Sequence, residues 1–315
     1  MHPAFSVIFF TVSSGTGYGL LFLTSLAAVL GLVATTPYYG LISIGLSLAL
    51  ITFGLLSSTW HLGHPERAMG ALTQWRSSWL SREGIVALLV YPPTLALAYF
   101  WFMQDGNSPC FVPLALLSAG LAAFTVYCTA MIYRSLATIH QWNNVWTVAG
   151  YLTLGLAGGS VFVSALAALF ALEIKTLSII SLTALLLAGF VKNRYWHFID
   201  TTQHSSTPES ATGLGHLGKV QLLDSPHTED NYLLTEMGYK VARKHAAKLR
   251  RYAQVFAFLI PIVFTIAALA IGGGLATALL VLSALSFLCG AGVERWLFFA
   301  EAKHTVTLYY GADKV

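Results

Sequence analysis

Eight long apolar runs constrain the fold of this protein more than any other feature of its sequence. They occupy approximately residues 5–34, 38–60, 84–102, 111–133, 146–172, 175–192, 253–272 and 274–293. A bilayer core of about 30 Å is crossed by a helix of about 20 apolar residues, and backbone polar groups cannot stay unpaired in lipid. The runs therefore predict an all-α membrane protein, a bundle of eight transmembrane helices. Residues 1–315 are expected to form a single integral membrane domain with a loop at about 193–252.

The composition excludes several other classes of protein. Hydrophobic residues make up 56% of the sequence and charged residues 10%, whereas about a quarter of the residues of a soluble domain are charged. Three cysteines are too few for an iron–sulfur cluster held by four thiolates. The first run is about twice the length of a signal-peptide core and follows Met1-His2-Pro3, which has no basic residue, so we expect a retained helix.

Lysine and arginine are distributed very unequally between the two sides of the predicted bundle. Sixteen of the 17 lie on the side that carries the termini and the loops after the second, fourth and sixth spans, and Lys175 alone lies opposite. Cytoplasmic loops carry such an excess. Both termini are therefore expected in the cytoplasm.

The long loop offers a second helix prediction. Residues 228–252 have a threonine that can cap the N-terminus, acidic residues in the first turn and basic residues in the last turn, which matches the helix dipole. The loop is interpreted either as a solvated connector or as a docking surface for a soluble partner. No phosphate-binding GxxxxGK[ST] motif is present, which argues against an ATP-driven pump.

Ionisable residues are nearly absent from the interiors of the eight runs. All ten histidines fall at span ends or in loops, which argues against a haem held by two histidines inside the bundle. Transporters commonly place carboxylates or broken helices near the membrane midplane. Here Tyr91-Pro92-Pro93 predicts a kink in the third span, but without a charged partner it is weak support for transport.

The remaining chemistry lies at one predicted membrane interface. The second span ends with Trp60, His61 and His64, and the third begins with Arg82 and Glu83. An imidazole and a half-buried carboxyl group side by side could exchange two protons with a quinol. The alternative interpretation is structural. Gly63 and Pro65 are typical of the end of a helix, and tryptophans commonly anchor helices at membrane edges.

Three further charged residues lie at predicted span ends on the same side. Arg134 follows the fourth span, and Glu294 and Arg295 follow the eighth. They are candidates for a pocket lining, for interfacial anchors or for an ion pair.

Several short motifs resemble one known family. His61-Leu62-Gly63-x-Pro65 followed by Ser81-x-Glu83 resembles the DmsC-type membrane anchors of dimethyl sulfoxide reductase and of related molybdenum enzymes, including the SoeC anchor of sulfite-oxidising complexes. Residues 2–11, 131–134 and 294–301 are also similar to this family. The resemblance covers nearly the whole sequence and includes the plan of eight spans.

The resemblance implies a function and partners. Such an anchor carries no haem and binds a quinone, menaquinone or ubiquinone, near the face that meets its soluble partners. Those partners are an iron–sulfur electron-transfer subunit and a molybdopterin catalytic subunit, and the complex lies in the bacterial inner membrane. A histidine and a glutamate 22 residues apart are implicated in quinol binding, which correspond here to His61 and Glu83.

The predicted orientation favours one branch of the family. It places His61 and Glu83 on the cytoplasmic side, as expected for a sulfite dehydrogenase-type anchor whose catalytic dimer stays in the cytoplasm. The alternatives are a quinol-oxidising anchor of a dimethyl sulfoxide reductase-type complex, a purely structural anchor, a haem-bearing cytochrome and a membrane transporter.

Overall fold

A computed structural model describes residues 3–59, 70, 72–203, 205–224 and 241–312, with the backbone alone for 241–244. Within these ranges eight helices are long and apolar enough to cross a membrane, as predicted. The helices are α1 (Phe5–Val29), α2 (Pro37–Thr59), α3 (Trp79–Gln104), α4 (Phe111–Arg134), α5 (Val145–Leu169), α6 (Lys175–Thr201), α7 (His245–Ile271) and α8 (Gly273–Ala300).

The eight spans are confirmed, but several predicted ends are wrong. Helix α3 begins at Trp79 rather than at 84, α6 continues to Thr201 rather than stopping at 192, and α8 continues to Ala300 rather than stopping at 293. Lys192 does not mark the exit of α6, because its side chain is buried and pairs with Glu294 of α8. The loop predicted at 193–252 is correspondingly shorter.

Two other ends differ for local reasons. Helix α1 stops at Val29 rather than at 34, because Gly31 adopts a positive φ of 65° and turns the backbone back. The helix predicted over 228–252 is helical from Val241 onward, and its first residues lie outside the described ranges. It is not separate from the seventh span, because Val241–Gln254 continues through one π-helical turn into Ile260–Ile271.

Helices α1 and α5 pack directly against each other at the centre of the bundle. A Cβ atom on Gly19 would lie 1.8 Å from the carbonyl oxygen of Gly155, and one on Gly159 would lie 2.1 Å from the carbonyl carbon of Gly19. Small residues four apart allow such close approach of membrane helices. Helix α1 also packs against α2, α4 and α8, so it is the central helix of the bundle.

Neighbouring helices in the sequence run in opposite directions. Ser57 near the end of α2 donates to the carbonyl oxygen of Ser6 near the start of α1, at 3.1 Å. Ser286 of α8 donates to the carbonyl oxygen of Phe256 of α7, at 2.8 Å. The start of α3 and the ends of α4, α6 and α8 therefore share one end of the bundle, which we call the basic end.

Helix α3 is interrupted at the predicted position. One segment ends at Leu89 and the next begins at Tyr91, with two prolines in its first turn. Pro92 and Pro93 lack the N–H groups that an uninterrupted helix would bond at this point. The kink predicted in the third span falls at this interruption, which separates the segment that carries Glu83 from the rest of α3.

The glycine contact between α1 and α5 predicts a specific loss of stability. Gly159→Ala should lower the free energy of unfolding by about 1–3 kcal/mol, because the added methyl group meets rigid backbone. Gly150→Ala on the same helix is the control, since a Cβ atom there meets no atom within 4 Å. Thermal unfolding in detergent measures both, and equal stability of the two variants would contradict the packing described.

Candidate functional site

Glu83 lies one helical turn inside the start of α3 and is 5% exposed. The helix begins early because Ser78 caps it, its hydroxyl oxygen accepting a hydrogen bond from the backbone N–H of Ser81 at 3.4 Å. The carboxyl group is thereby placed within the bundle rather than at its rim. This position differs from the half-buried one expected from the sequence.

The surroundings of Glu83 are aromatic and hydroxyl-bearing. The hydroxyl group of Thr129 on α4 donates a hydrogen bond to Glu83 Oε1. The phenol groups of Tyr18 on α1 and Tyr133 on α4 also lie within electrostatic range of the carboxyl group. Three helices therefore meet around this single acid.

Arg82 points away from its acidic neighbour. Its Nε donates to the carbonyl oxygen of Trp75 at 2.8 Å, and its Nη2 donates to that of Arg76 at 2.7 Å. The guanidinium group also lies 4.2 Å from the ring centroid of Trp79. Arg82 thus holds the turn that precedes α3.

Three of the predicted site residues, Trp60, His61 and His64, lie outside the described residues. The proximity of His61 to Glu83 therefore stays a prediction. Arg134 is half-buried at the end of α4, where its carbonyl oxygen accepts a hydrogen bond from Asn143 Nδ2 at 2.5 Å.

A second cluster of charges is buried between α6 and α8. Glu294 has no exposed surface and pairs through Oε1 with Nζ of Lys192. Its Oε2 accepts a hydrogen bond from Arg295 Nε at 2.6 Å. Glu294 and Arg295 thus form an ion pair, which is one of the arrangements that the sequence left open. Lys192 is a further partner, to which the sequence analysis assigns no role.

Aromatic rings cover both cations of this cluster. The Lys192 Nζ lies 3.9 Å from the ring centroid of Tyr195, and the Arg295 guanidinium lies 4.1 Å from that of Tyr151. Tyr151 in turn stacks on Tyr133, with ring centroids 5.6 Å apart. Because Tyr133 is also close to Glu83, the two buried sites are linked by aromatic side chains.

A cavity of about 30 Å³ lies between the two sites, among α1, α4, α5 and α8. Its polar lining includes Ser14, Thr16, Tyr18, Thr129, Tyr151 and Arg295. One wall thus carries the hydroxyl group bonded to Glu83, and the opposite wall carries the guanidinium group bonded to Glu294.

The charged cluster continues towards the surface of the basic end. Arg250 on α7 pairs with Glu301 at 2.9 Å and with Asp200 at 2.6 Å, and Asp200 is 54% exposed. Glu301 is itself buried, and burial raises the pKa of its carboxyl group although Arg250 opposes this. The alternation of acids and bases therefore reaches from Arg295 to solvent.

An apolar cleft of about 180 Å³ adjoins the cavity between α1, α4 and α5. Tyr18, Val126 and Gly155 line both spaces, and Phe22 and Leu156 are among the apolar residues of the cleft. A flat ring with an apolar tail could enter such a space, with its polar edge towards Tyr18.

No group of three or more histidine, cysteine or acidic side chains in the described ranges is placed to hold a metal ion. The absence of haem from this protein remains a prediction.

Comparison with known proteins agrees with the architecture. A model of the DMSO reductase anchor subunit (DmsC) family matches residues 1–311. The chain belongs to this family. The resemblance inferred from the short motifs is thereby confirmed, and the protein is a member of a family of membrane anchor subunits. No solved structure matches it.

Two curated relatives illustrate the breadth of the DmsC family. The sequence is 34% identical to that of a sulfite dehydrogenase subunit from Allochromatium vinosum, over 98% of this chain and 99% of that protein. It is 27% identical to that of an anaerobic dimethyl sulfoxide reductase subunit from Escherichia coli, over 51% of this chain and 57% of that protein.

The sequence analysis assigns no site role to Tyr18, Thr129, Tyr133, Tyr151 or Lys192. The hydroxyl-bearing residues are common in membrane helices and gave no signal of their own. Lys192 was counted only as a loop charge, because the predicted sixth span ended there. Two features of the sequence point to it. Lys192 directly follows an apolar stretch, and a Glu-Arg pair lies at the end of a later span.

The buried cluster predicts a large effect of Glu294 on stability. Glu294→Ala should lower the free energy of unfolding by about 3–5 kcal/mol, because it leaves two cations buried without a partner. Asp200→Asn removes an exposed carboxylate of the same cluster and should cost about 1 kcal/mol or less. Thermal unfolding in detergent measures the stability of both variants. Equal losses of stability in Glu294→Ala and Asp200→Asn would contradict the burial of Glu294.

Proposed function

We propose that this protein is the membrane anchor and quinone-reactive subunit of a molybdenum/iron–sulfur oxidoreductase complex in the bacterial inner membrane. It would pass electrons between a catalytic dimer of the sulfite dehydrogenase type and the quinone pool. The buried carboxyl group of Glu83, bonded to Thr129, is the observation that carries the proposal.

The position of Glu83 suits proton exchange. A quinone that accepts two electrons also takes up two protons, so its site needs groups that give and receive protons. Glu83 receives a hydrogen bond from a neutral hydroxyl group and no ion pair from the described residues. A carboxyl group beside a hydroxyl group, rather than beside a cation, is a suitable group to give and receive protons at such a site.

The surroundings also fit a quinone by shape and polarity. Tyr18 lines the apolar cleft, and its phenol group lies within electrostatic range of Glu83 and near the hydroxyl group of Thr125. Tyr18 and Glu83 would face the polar edge of the ring, and the cleft would receive apolar parts. His61 is proposed as the second proton-exchanging group.

The partners are proposed from the family and the distribution of charge. The full-length similarity to a protein named as a sulfite dehydrogenase subunit supports a sulfite-oxidising complex. The excess of lysine and arginine at the basic end supports a cytoplasmic position for both termini and for the soluble subunits. An iron–sulfur subunit at this end would meet the surface nearest to Glu83.

A quinol-oxidising role is the second candidate. The similarity to a protein named for anaerobic dimethyl sulfoxide reductase, although it covers half of this chain, favours this alternative. The same residues would then release protons from quinol instead of supplying them.

Glu83→Gln tests the proposed site in the intact complex. Quinone-linked turnover should fall by about 100-fold or more, which is the usual contribution of a positioned proton-transfer group. Turnover with an artificial soluble acceptor should be unchanged, because the soluble subunits perform it. Steady-state rates with both acceptors measure the difference.

Glu209→Gln is the matched control, since Glu209 is a solvated carboxylate in the first turn of a short loop helix. It should leave both rates unchanged. Normal quinone-linked turnover of Glu83→Gln would remove Glu83 from the proposed function.

The orientation predicts which cysteine a membrane-impermeant maleimide reaches. Cys110 is exposed at the start of α4, at the end of the bundle opposite the basic end. In intact cells with a permeable outer membrane it should be labelled, and Ser205→Cys in a Cys110→Ser background should be labelled only after lysis. The reverse result would place the termini outside.

A further inference from the structure

The cavity between Thr129 and Arg295 has the properties of a site for ordered water. Its volume of about 30 Å³ exceeds the roughly 10–15 Å³ that one water molecule requires. Tyr18 Oη, Tyr151 Oη and Arg295 Nη1 are buried and make no close hydrogen bond to the described residues, although Thr125 lies near the phenol group of Tyr18 and Arg295 lies near that of Tyr151. Buried water typically satisfies two to four such groups.

The cavity reaches Glu83 on one side. Thr129 lines it and bonds Glu83, and Tyr18 lines it within electrostatic range of the same carboxyl group. Water bonded to the hydroxyl group of Thr129 would reach Glu83 by two successive proton transfers through that hydroxyl group.

The cavity reaches the charged cluster on the other side. Arg295 is 5% exposed, lines the cavity and bonds Glu294, which pairs with Lys192. Lys192 lies within electrostatic range of Glu301, and Glu301 pairs with Arg250 near the exposed Asp200. These polar groups therefore extend from the cavity to solvent at the basic end.

We propose that water ordered by Arg295 in this cavity carries protons between Glu83 and the Lys192–Glu294 pair, and so connects the proposed quinone site to the basic end. The proposal rests on the function proposed above for Glu83. It assigns a role in proton transfer to the charged cluster. Quinone binding at Glu83 does not by itself require that cluster.

The proton balance is simple. The iron–sulfur subunit supplies two electrons for each quinone reduced, and two protons are taken up from the basic end. Glu83 gives one of these protons to the quinone, and His61, the second proposed group, gives the other. Glu83 regains its proton from the cavity water through the hydroxyl group of Thr129, as one O–H bond breaks and another forms at each transfer. The hydroxide left behind takes a proton from the Lys192–Glu294 pair, which regains one from solvent at the basic end, and every transfer reverses when quinol is oxidised.

Arg295 acts in this scheme as a positioning residue. A guanidinium group stays protonated in proteins, so it orders water without passing on a proton itself. A purely structural role of Arg295 would require only its bond to Glu294 and its contact with the ring of Tyr151.

The water is tested directly by X-ray hydroxyl-radical footprinting of the whole complex in detergent. Tyr18 and Tyr151 should be modified despite their burial, because radicals form from the water beside them. Tyr39 is the matched control, since its phenol oxygen is equally buried and unpartnered among the described residues but lies near the other end of the bundle. Absence of modification at Tyr18 and Tyr151 would overturn the proposal.

The route is tested by three variants in the whole complex, with decylubiquinone as acceptor. Arg295→Leu should lower turnover by about 100-fold, in the range of positioned proton transfer, and should raise the solvent deuterium isotope effect. Arg295→Lys should recover most of the turnover, and Tyr39→Phe should leave it unchanged. Binding of a hydroxyquinoline N-oxide inhibitor should be the same in all three.

The outcomes separate this proposal from the function on which it rests. If Glu83→Gln blocks quinone-linked turnover while Arg295→Leu retains both the rate and the isotope effect, the water route is wrong and the site at Glu83 stands. If Glu83→Gln retains turnover, both proposals are overturned. Lost inhibitor binding in Arg295→Leu would assign Arg295 to quinone binding and also overturn the route.

Discussion

The burial of a carboxylate between α6 and α8 governs the geometry of the basic end. Glu294 has no exposed surface, and an unpaired charge there would cost several kcal/mol. Lys192 and Arg295 compensate it from two helices, which fixes their relative position. Because α8 also packs against α1 and α5, the same pairing holds the Arg295 guanidinium at the wall of the cavity.

Glu83 lies in a different environment at the same end of the bundle. It is nearly as buried as Glu294, but its described hydrogen-bond donor is the neutral hydroxyl group of Thr129. Two carboxyl groups with such different neighbours are suited to different tasks. The carboxylate compensated by cations holds α6 against α8 at one end of the proposed water route, and the carboxyl group beside hydroxyl groups is the proposed proton-exchanging group at the other.

The sequence predicted the eight spans well because hydrophobic length is a local property that the bilayer imposes directly. It misplaced the end of α6 because a charged residue such as Lys192 marks the edge of the membrane only when no partner is buried with it. That partner, Glu294, is about 100 residues away in the sequence, so the pairing could not be read from either segment. Glu83 is indicated by its position at the start of an apolar run and then by the family motif, whereas Thr129 and Tyr151 become apparent only through the contacts of α4 and α5.

The half of the bundle beyond Val90 differs from the basic end in its lack of charged side chains. Here, Trp101 packs over Gly40 with no exposed surface, and the helices towards that end carry no acidic, basic or histidine side chain until their terminal turns. This half is an insulating layer. With the proposed quinone site at the basic end, electrons and protons would both enter from that side and would not cross this layer, so turnover would not itself generate a membrane potential.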